Sequence, residues 1–227
     1  MRIFKVISLD MFQTIVDLNT RRDVIWKKIL EERYTKELQE EYWVTINGYI
    51  FENFHKHSSS NEEFMKIRNI FEVYYDMAFK ELKSDIVSKT AVNIIIEEHG
   101  NAEFYDDSIE FIDRVALNSK VCIVSDADKD MIYPILPKIN YDKAFISEEY
   151  GIYKNTKGTN IFKYVLEHYN VLPEEILHIG DSASDIIGAK KYGIKTCWIN
   201  RHGYAKRFEG EADYTATSLK ELGEMIF

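Results

Sequence analysis

One short apolar segment, residues 3–9, stands apart from every other strand-like segment of the chain. Its apolar and β-branched residues predict a buried strand. A strand of this length is not stable alone, so it must pair with strands that come much later in the sequence. The residues between, 18–104, are helical in pattern. They therefore form an insertion between the first strand and the rest of its sheet.

The chain beyond residue 105 alternates between helical and strand-like segments. Strands are predicted at residues 121–125, 144–147, 176–180 and 196–200, with a weaker one at 213–216. Strands that alternate with helices form parallel βαβ units, and the helices cover both faces of the sheet. The sequence therefore predicts an α/β fold whose core is a parallel sheet.

The insertion contains four successive stretches in which apolar residues recur at helical spacing. Such stretches predict amphipathic helices that pack together as a small bundle. Ser60 or Asn61 is predicted to cap the start of the third helix, because hydroxyl and amide side chains accept from free helical N–H groups. The predicted organisation is a core of residues 1–17 and 105–227 and an inserted four-helix bundle of residues 18–104.

The net charge of −9 limits the partners that the protein can have. Nucleic acids and anionic membranes are bound by basic surfaces, so the sequence argues against both. No apolar run approaches the about 20 residues of a membrane span or the about 7–15 of a signal-peptide core. Cys122 and Cys197 lie in apolar strand-like runs and are interpreted as buried thiols in a reducing compartment. We therefore expect a cytoplasmic monomer.

Polar and charged residues follow several of the predicted strands where those strands end. Asp10 follows the first strand, Ser125 ends the second, and Lys154 comes shortly after the third. Asp181 follows the strand at 176–180, and Asp185 comes four residues later. Ligands of open parallel sheets collect at the carboxyl ends of the strands, so these side chains are predicted to meet at one edge.

Each of these residues alone has an ordinary structural explanation, such as a turn, a helix cap or a solvated lysine. Together they are more informative, because clustered carboxylates repel one another unless a cation lies between them. Mg²⁺ takes one or two carboxylates together with substrate phosphate. A lysine and a serine hydroxyl suit an anionic oxygen ligand. The set therefore predicts a site for a hard divalent cation such as Mg²⁺ beside an anionic oxygen ligand.

At these residues the sequence resembles the haloacid dehalogenase superfamily, in its phosphatase-like branch. The resemblance runs over nearly the whole chain, and four segments carry it in the family's order. They are Asp-Met-Phe-Gln-Thr at 10–14, the apolar strand ending in Ser125, Lys154, and Ile-Gly-Asp-Ser-Ala-Ser-Asp-Ile-Ile-Gly-Ala at 179–189. The insertion lies where that family carries a helical cap of the first type. The resemblance implies a Rossmann-like parallel sheet core with an inserted four-helix-bundle cap.

The resemblance also implies a role for each matched residue. Asp10 would be the nucleophile that forms an aspartyl-phosphate. Mg²⁺ would be held by Asp10, the backbone carbonyl of Phe12 and Asp181, with Asp185 as a further ligand or as a holder of the ligands. Ser125 and Lys154 would bind the phosphoryl oxygens and act in catalysis. Gln13 and Asp126, which adjoin these residues, are expected to help bind the substrate.

The first motif departs from the family pattern at Phe12. Phosphatases of the family carry a second aspartate there, which protonates the leaving group and then activates water, and phenylalanine cannot transfer a proton. General acid–base help is worth about 10²–10⁴-fold. Gln13 also replaces the usual glycine, so the loop geometry could differ as well. One interpretation keeps the phosphatase, with a good leaving group or an acid supplied by the cap, the candidates being His55, His57, Tyr34, Tyr42 and Tyr49.

Three other interpretations stay open. A dehalogenase would also lack the second aspartate and often has an aromatic residue there, but it would leave Asp181 and Asp185 without a cation. A carbon–phosphorus hydrolase would keep the metal and need a cap lysine as imine former, and Lys27, Lys28 and Lys56 are not distinguished from one another. A binding or regulatory protein would keep the ligand groups with little turnover.

Arginines flank the predicted site on both sides. Arg21 and Arg22 open the insertion and could meet a second anionic group of the substrate, or could be an ordinary solvated helix start. Arg201 follows the strand at 196–200, and family members often have an arginine there that braces the loop.

Overall fold

The computed structural model describes residues 4–59, 63–203, 205–206 and 210–227. The strands in chain order are β1 (Val6–Leu9), β2 (Val16–Asp17), β3 (Glu103–Phe104), β4 (Lys120–Ser125), β5 (Lys143–Ile146), β6 (Ile176–Gly180), β7 (Lys195–Ile199) and β8 (Tyr214–Ala216). The α-helices are α1 (Arg22–Leu30), α2 (Lys36–Ser58), α3 (Ile67–Glu81), α4 (Ser88–His99), α5 (Ser108–Ala116), α6 (Lys129–Ile132), α7 (Ser147–Tyr150), α8 (Phe162–Tyr169), α9 (Ala183–Lys190) and α10 (Leu219–Ile226).

The first strand lies in the middle of the main sheet. Six parallel strands form this sheet in the order β5-β4-β1-β6-β7-β8. Val6 has two register partners, Lys120 of β4 and Ile176 of β6, both of which come more than a hundred residues later. The sequence prediction of a parallel α/β core, with the first strand inside it, is confirmed.

Both faces of the sheet are buried, because side chains alternate along each strand. Ile7, Leu9 and Ile179 belong to one apolar cluster, which continues into α5, α10 and the inserted helices. Val6 and Val124 belong to a second cluster on the opposite face, where α8 and α9 pack. The alternation places Asp10 directly beyond a completely buried strand. The carboxyl edge of the sheet is therefore a rigid platform for polar groups.

The four predicted helices of the insertion are present as α1 to α4. Helix α1 packs on α4 and α2, and α3 packs on α2 and α4. A two-stranded antiparallel sheet joins the insertion to the core, with Val16 opposite Phe104 and Asp17 opposite Glu103. This short pair was not predicted, because two residues show no periodicity. The domain boundaries at 17/18 and 104/105 fall at this pair and stay a prediction.

The start of the third inserted helix differs from the expected one. Ser60 and Asn61 lie outside the described residues, and α3 begins at Ile67, whose N-cap residue Lys66 makes no side-chain cap. Instead the Asp128 carboxylate of the core accepts from the backbone N–H groups of Ile67 (2.8 Å) and Arg68 (2.9 Å). The orphan donors of a helix N-terminus are thus satisfied from across the chain rather than locally.

Among the described residues, no helix combines the length and apolar character that a bilayer span requires.

Candidate active site

Three of the residues expected at the sheet edge are in direct contact. The Lys154 ammonium lies 2.7 Å from Asp10 Oδ1 and 2.5 Å from Asp185 Oδ1. All three side chains are buried, with at most 7% of each exposed. Burial lowers the pKa of Lys154, but Asp10 and Asp185 more than offset it and hold that pKa above its ordinary value. Lys154 is therefore a fixed cation between two carboxylates.

Both carboxylate oxygens of Asp185 accept hydrogen bonds, two at each oxygen. Its Oδ1 accepts from Lys154 and from His178 Nε2 at 3.0 Å. Its Oδ2 accepts from the backbone N–H of Ser182 at 3.0 Å and from the Ser182 hydroxyl at 2.5 Å. A carboxylate offers about four lone-pair positions, so these donors occupy all of them. Burial alone would raise the pKa of Asp185, but Lys154 and His178 hold it well below its usual range.

A third carboxylate lies beside this pair. One ligand atom each of Asp10, Asp181 and Asp185 falls within 4.8 Å of the others, an arrangement that could hold a metal ion. Burial, followed by the charges of Asp10 and Asp185, raises the pKa of Asp181 well above its ordinary value. Burial also raises the pKa of Asp10 to about 6, against the opposing effect of Lys154. Oxygen donors with such crowded charge fit Mg²⁺, which would relieve their repulsion.

The strand end at Ser125 supplies two polar atoms that the fold leaves unsatisfied. Ser125 Oγ and Asp126 Oδ2 are buried and have no hydrogen-bond partner among the described residues. Buried polar atoms are nearly always paired, so an orphan at a site points to a missing ligand. Asp126 Oδ1 accepts from the backbone N–H of Lys154 at 2.9 Å, and burial raises the pKa of Asp126 to about 7. Asp126 therefore contacts the lysine's backbone.

The loop after Asp10 keeps a glycine-like backbone although it contains no glycine. Gln13 has φ of 60°, in the left-handed region that favours glycine. Its side-chain carbonyl accepts from the Tyr105 hydroxyl at 2.7 Å. The Thr14 hydroxyl donates to Asp10 Oδ2 at 3.3 Å. The substitution of Gln13 for the usual glycine thus leaves the left-handed turn in place, and the side chain is anchored to the core.

Phe12 packs against a histidine that the sequence reasoning missed. The rings of Phe12 and His99 meet edge to face, with centroids 5.2 Å apart. His99 ends α4, and its Nδ1 is 2.7 Å from the carbonyl oxygen of Ile95. Burial lowers the pKa of His99 to about 4, so the imidazole is neutral at pH 7. No feature of the sequence other than the end of a helix before Gly100 marks this residue.

The arginines at the start of the insertion are engaged within it. Arg21 Nη2 lies 2.5 Å from Glu98, a carboxylate only 2% exposed, which also binds Lys28 at 2.6 Å. Arg22 pairs with Glu40 and lies over the Trp43 ring. Arg21 and Arg22 therefore form ion pairs within the insertion in this structure.

The acid candidates of the insertion make contacts within the insertion too. His57 Nε2 is 2.8 Å from the Tyr74 hydroxyl, and the side chain of His55 lies outside the described residues. The Tyr34 hydroxyl donates to Gln39 and the Tyr49 hydroxyl to Glu81, while Tyr42 is buried in the bundle. None of these described contacts reaches Asp10.

The lysine candidates also contact other residues of the insertion. Lys27 lies over the Tyr34 ring with 5.5 Å to its centroid, Lys28 binds Glu98, and Lys56 donates to Asn53 at 2.6 Å.

Arg201 braces the loop at 10–14, as the resemblance implied. Its Nε donates to the carbonyl oxygen of Thr14 at 2.9 Å, and its other nitrogens bind both oxygens of Asp107. The guanidinium also lies 3.9 Å from the Tyr105 ring centroid. These contacts tie the loop at 10–14 to the end of β7.

The segment that carries Lys154 is held to the insertion by hydrogen bonds and an ion pair. The contacts join two sets of residues across the boundary. They are Ser58, Ser59, Met65 and Lys66 of the insertion and Glu148, Tyr153, Thr156 and Lys157 of the core. The Tyr153 hydroxyl donates to the carbonyl of Met65, and Lys66 lies 2.6 Å from Glu148. Thr156 Oγ1 and the backbone N–H of Lys157 donate to the carbonyls of Ser58 and Ser59 at 3.3 and 3.2 Å.

His178 and Asp128 are also residues that the sequence reasoning missed. His178 stands in the apolar run of β6, where a fully buried imidazole among aliphatic residues was an available signal. Asp128 lies in the same acidic stretch as Asp126, but its partner is a helix end in another part of the chain. Nothing local to the sequence marks that contact.

Comparisons with known proteins show which family the chain resembles. The family model described as haloacid dehalogenase-like hydrolase matches residues 4–193. The glyceraldehyde 3-phosphate phosphatase of Pyrococcus furiosus is 26% identical over 239 aligned residues, which span 100% of this chain and 94% of the relative.

Solved structures share the fold over nearly the full length of the chain. The HAD-hydrolase YfnB from Bacillus subtilis, described with bound magnesium and with interdomain movement, has a TM-score of 0.82 at 20% identity and covers 99% of each chain. An L-2-haloacid dehalogenase has a TM-score of 0.79 at 13% identity, also over 99% of each chain. These similarities include both phosphate and organohalide chemistry.

Proposed function

Because the chain belongs to the haloacid dehalogenase-like hydrolases, we propose that it is a Mg²⁺-dependent phosphatase of a small phosphorylated metabolite. Asp10 is the nucleophile. Ser125 and Lys154 bind the phosphoryl group, with Gln13 and Asp126 beside them. The substrate class follows from the phosphatase relative, which acts on a small phosphorylated metabolite by its name.

One observation carries the proposal: a buried ammonium is shared by two carboxylates, and a third carboxylate stands next to them. A site that attacks carbon needs no cation, whereas Asp181 and Asp10 have raised pKa values that a cation would bring down. The buried Ser125 hydroxyl without a described partner adds a donor for a phosphoryl oxygen. Neutralising oxygen charge is most of what phosphoryl transfer requires.

Mg²⁺ would be held by Asp10, the carbonyl of Phe12 and Asp181, and when bound it supplies positive charge to the phosphoryl oxygens. The lone pairs of Asp185 are occupied by donors in this structure, so Asp185 holds Lys154 in place and does not bind Mg²⁺ directly.

The reaction then has two steps at phosphorus. A carboxylate oxygen of Asp10 forms a bond to phosphorus, and the bond to the leaving oxygen breaks with its electron pair. Phe12 cannot donate the proton that this oxygen needs, so the proton comes from solvent and substrates with good leaving groups are favoured. Water next attacks phosphorus, the bond from Asp10 to phosphorus breaks, and orthophosphate leaves while the water's proton goes to solvent.

The test is a time course with 4-nitrophenyl phosphate and with acetyl phosphate. Each is run with Mg²⁺, with EDTA, with Asp10→Asn, and with Asp113→Asn as a control on an exposed residue of α5. Metal-dependent multiple turnover in the wild type and the control, lost in Asp10→Asn, supports the phosphatase. A burst equal to the enzyme concentration without further turnover would instead support a binding or regulatory protein.

A dehalogenase is the second candidate, and Phe12 is the observation that favours it. An aromatic ring at this position is compatible with attack on carbon, and no proton donor is then needed. The same preparation is therefore given a 2-haloacid, with and without EDTA. Halide release that persists in EDTA, together with no phosphate release from 4-nitrophenyl phosphate or acetyl phosphate, would replace the phosphatase proposal with this one.

A further inference from the structure

A buried chain of hydrogen bonds runs from the interior of the sheet to the nucleophile. Ser8 Oγ lies 2.8 Å from His178 Nδ1, and His178 Nε2 lies 3.0 Å from Asp185 Oδ1. The same Asp185 oxygen contacts Lys154, which contacts Asp10. Ser8, His178 and Asp185 are completely buried. The function assigned above uses the last three members of this chain and leaves Ser8 and His178 without a role.

The direction of each hydrogen bond follows from the groups themselves. The ionised Asp185 carboxylate can only accept, so His178 Nε2 carries the proton and donates it. Nδ1 of the neutral imidazole is then an acceptor, and the Ser8 hydroxyl donates to it. Ser8 and His178 are register partners on β1 and β6, so the sheet itself sets their spacing. The imidazole ring is further packed edge to face on Phe162, with centroids 4.6 Å apart.

Asp185 needs such a holder because it has two neighbours that compete for it. Lys154 contacts its Oδ1, and a cation held among Asp10, Asp181 and Asp185 would compete for the same carboxylate. A donor at Nε2 keeps Oδ1 turned towards Lys154. The close approach of Asp185 to the strand is built into the sequence, because a Cβ on Gly180 would lie 2.2 Å from Asp185 Cγ.

We propose that His178 is a positioning residue, oriented by Ser8, that holds Asp185 on Lys154 and so sets where the ammonium stands for the phosphoryl group. This inference rests on the proposed phosphatase function. It assigns Asp185 and Asp181 different tasks: Asp185 anchors the lysine, and Asp181 is left for the cation. Loss of His178 therefore weakens phosphate binding more than it weakens Mg²⁺ binding.

The experiment compares His178→Leu with His178→Gln in the full chain. Glutamine keeps an N–H donor at a reach similar to Nε2, and leucine of comparable size does not. The probes are Mg²⁺ alone and inorganic phosphate in the presence of Mg²⁺, each measured by titration calorimetry, with inhibition of 4-nitrophenyl phosphate turnover by phosphate as a second readout. Melting temperatures establish that each variant is folded.

We expect phosphate affinity to fall about 10–100-fold in His178→Leu, the same size as the losses seen when partners that orient metal ligands are removed. It should stay within a few-fold of wild type in His178→Gln, and Mg²⁺ affinity should change little in either. Ser8→Ala removes only the hydroxyl that orients the ring and should lower phosphate affinity about three- to tenfold. If His178→Leu does not fold, the phosphate affinity of Ser8→Ala decides the test.

The outcomes separate the two claims. Wild-type protein that neither binds phosphate nor hydrolyses phosphate esters overturns the proposed function, and the inference falls with it. Wild type that binds phosphate while the leucine and glutamine variants bind it equally well overturns the inference alone. Equal losses of Mg²⁺ and phosphate affinity in His178→Leu, not rescued by glutamine, would show general damage to the site and also overturn it.

Discussion

Single glycines decide how closely the lysine can approach the helix that follows β6. A Cβ on Gly188 would lie 2.0 Å from the backbone carbonyl oxygen of Lys154, a distance that no real Cβ contact shows. Helix α9 therefore packs directly on the segment that carries the ammonium. The glycine at this position is explained by that approach, since its helical backbone would otherwise favour alanine.

Gly188→Ala tests this approach. Alanine improves helix propensity by about 1 kcal/mol, but the displaced Lys154 backbone should outweigh it and lower the free energy of unfolding by about 1–3 kcal/mol, as overpacking does. Turnover of 4-nitrophenyl phosphate should fall as well. Gly48→Ala in α2 is the matched control, because its Cβ meets nothing within 4 Å. Urea unfolding should show this control slightly more stable than wild type, and equal stability gains in both variants would contradict the argument.

Position 12 gives a prediction about leaving groups. Phe12→Asp introduces a group that can transfer a proton beside the neutral His99, and general acid–base help is worth about 10²–10⁴-fold. We expect kcat/KM for an alkyl phosphate to rise much more than kcat/KM for 4-nitrophenyl phosphate, whose leaving group needs no proton.

Phe12→Asn is the control for this prediction, because it has the same shape as aspartate and transfers no proton. A similar gain in the asparagine variant would mean that removal of the phenyl ring, and not proton transfer, is responsible.

Residues of the site were predictable where the sequence marks them by position. Asp10, Ser125 and Asp181 each end or follow an apolar strand, and parallel strands end at one edge. Lys154 and Asp185 stand a few residues beyond their strands, so position alone marks them less sharply and the motif order adds to the prediction. His178 was passed over because it interrupts an apolar run without changing the strand pattern. His99 could not be found, since its contact with Phe12 joins the end of the insertion to the first loop.

At the scale of elements, the start of α3 depends on a residue outside the helix. Its N-terminus has no local cap, and Asp128, only 1% exposed, supplies the acceptors from the core. Arg68 adds ion pairs to Asp128 at 3.4 Å and to Asp130 at 2.8 Å. The helical insertion is thus attached to the core at α3 as well as at the β2–β3 pair.

Asp128→Ala should loosen this attachment. Loss of an N-cap acceptor costs about 0.5–2 kcal/mol, and the freed N–H groups of Ile67 and Arg68 lie at a buried boundary. We expect a lower melting temperature and faster proteolysis between α2 and α3.

Asp130→Ala is the matched control for this variant, because it removes an ion pair with the same arginine from an exposed carboxylate and leaves the helix end capped. Its stability should change by less than about 0.5 kcal/mol. Equal effects of the two substitutions would mean that Asp128 acts only through its charge.

Element positions were predicted well where the apolar period was long. Strand β6 was predicted with its observed bounds, and β4, β5 and β7 within a residue or so. The start of α3 was missed because a helix capped by a distant carboxylate leaves no signal before its first turn. The pairing of Val16 with Phe104 is equally invisible, because both strands are two residues long and far apart in sequence.

At the scale of the whole molecule, buried carboxylates make stability depend on pH. Burial raises the pKa of Asp10 to about 6 and of Asp126 to about 7, whereas an unfolded aspartate has a pKa of about 3.9. Between pH 4 and 7 the folded protein therefore binds more protons at these groups than the unfolded chain does. Their contribution to the free energy of unfolding consequently falls as the pH rises through this window.

Mg²⁺ should offset that fall, because it binds the ionised carboxylates and competes with protons for them. We expect the increase in melting temperature caused by Mg²⁺ to be larger at pH 7.5 than at pH 5, measured by calorimetry at both values. Asp181→Asn should remove most of this increase. A shift that is the same at both pH values, or that survives in Asp181→Asn, would contradict a cation at this cluster.

The central position of β1 in the sheet also determines the order in which parts of the chain can fold during synthesis. The register partners of Val6, Lys120 and Ile176, are synthesised after the whole insertion. The strand that precedes Asp10 therefore has no partner strand when the insertion is already complete. Contacts so distant in sequence form slowly, whereas helical segments with local contacts fold early. During synthesis the insertion can therefore fold first, and Asp10 cannot meet Lys154 and Asp185 until the ribosome has released the chain beyond α9. The carboxylate cluster at the edge of the sheet therefore forms only after the helical insertion has had time to fold.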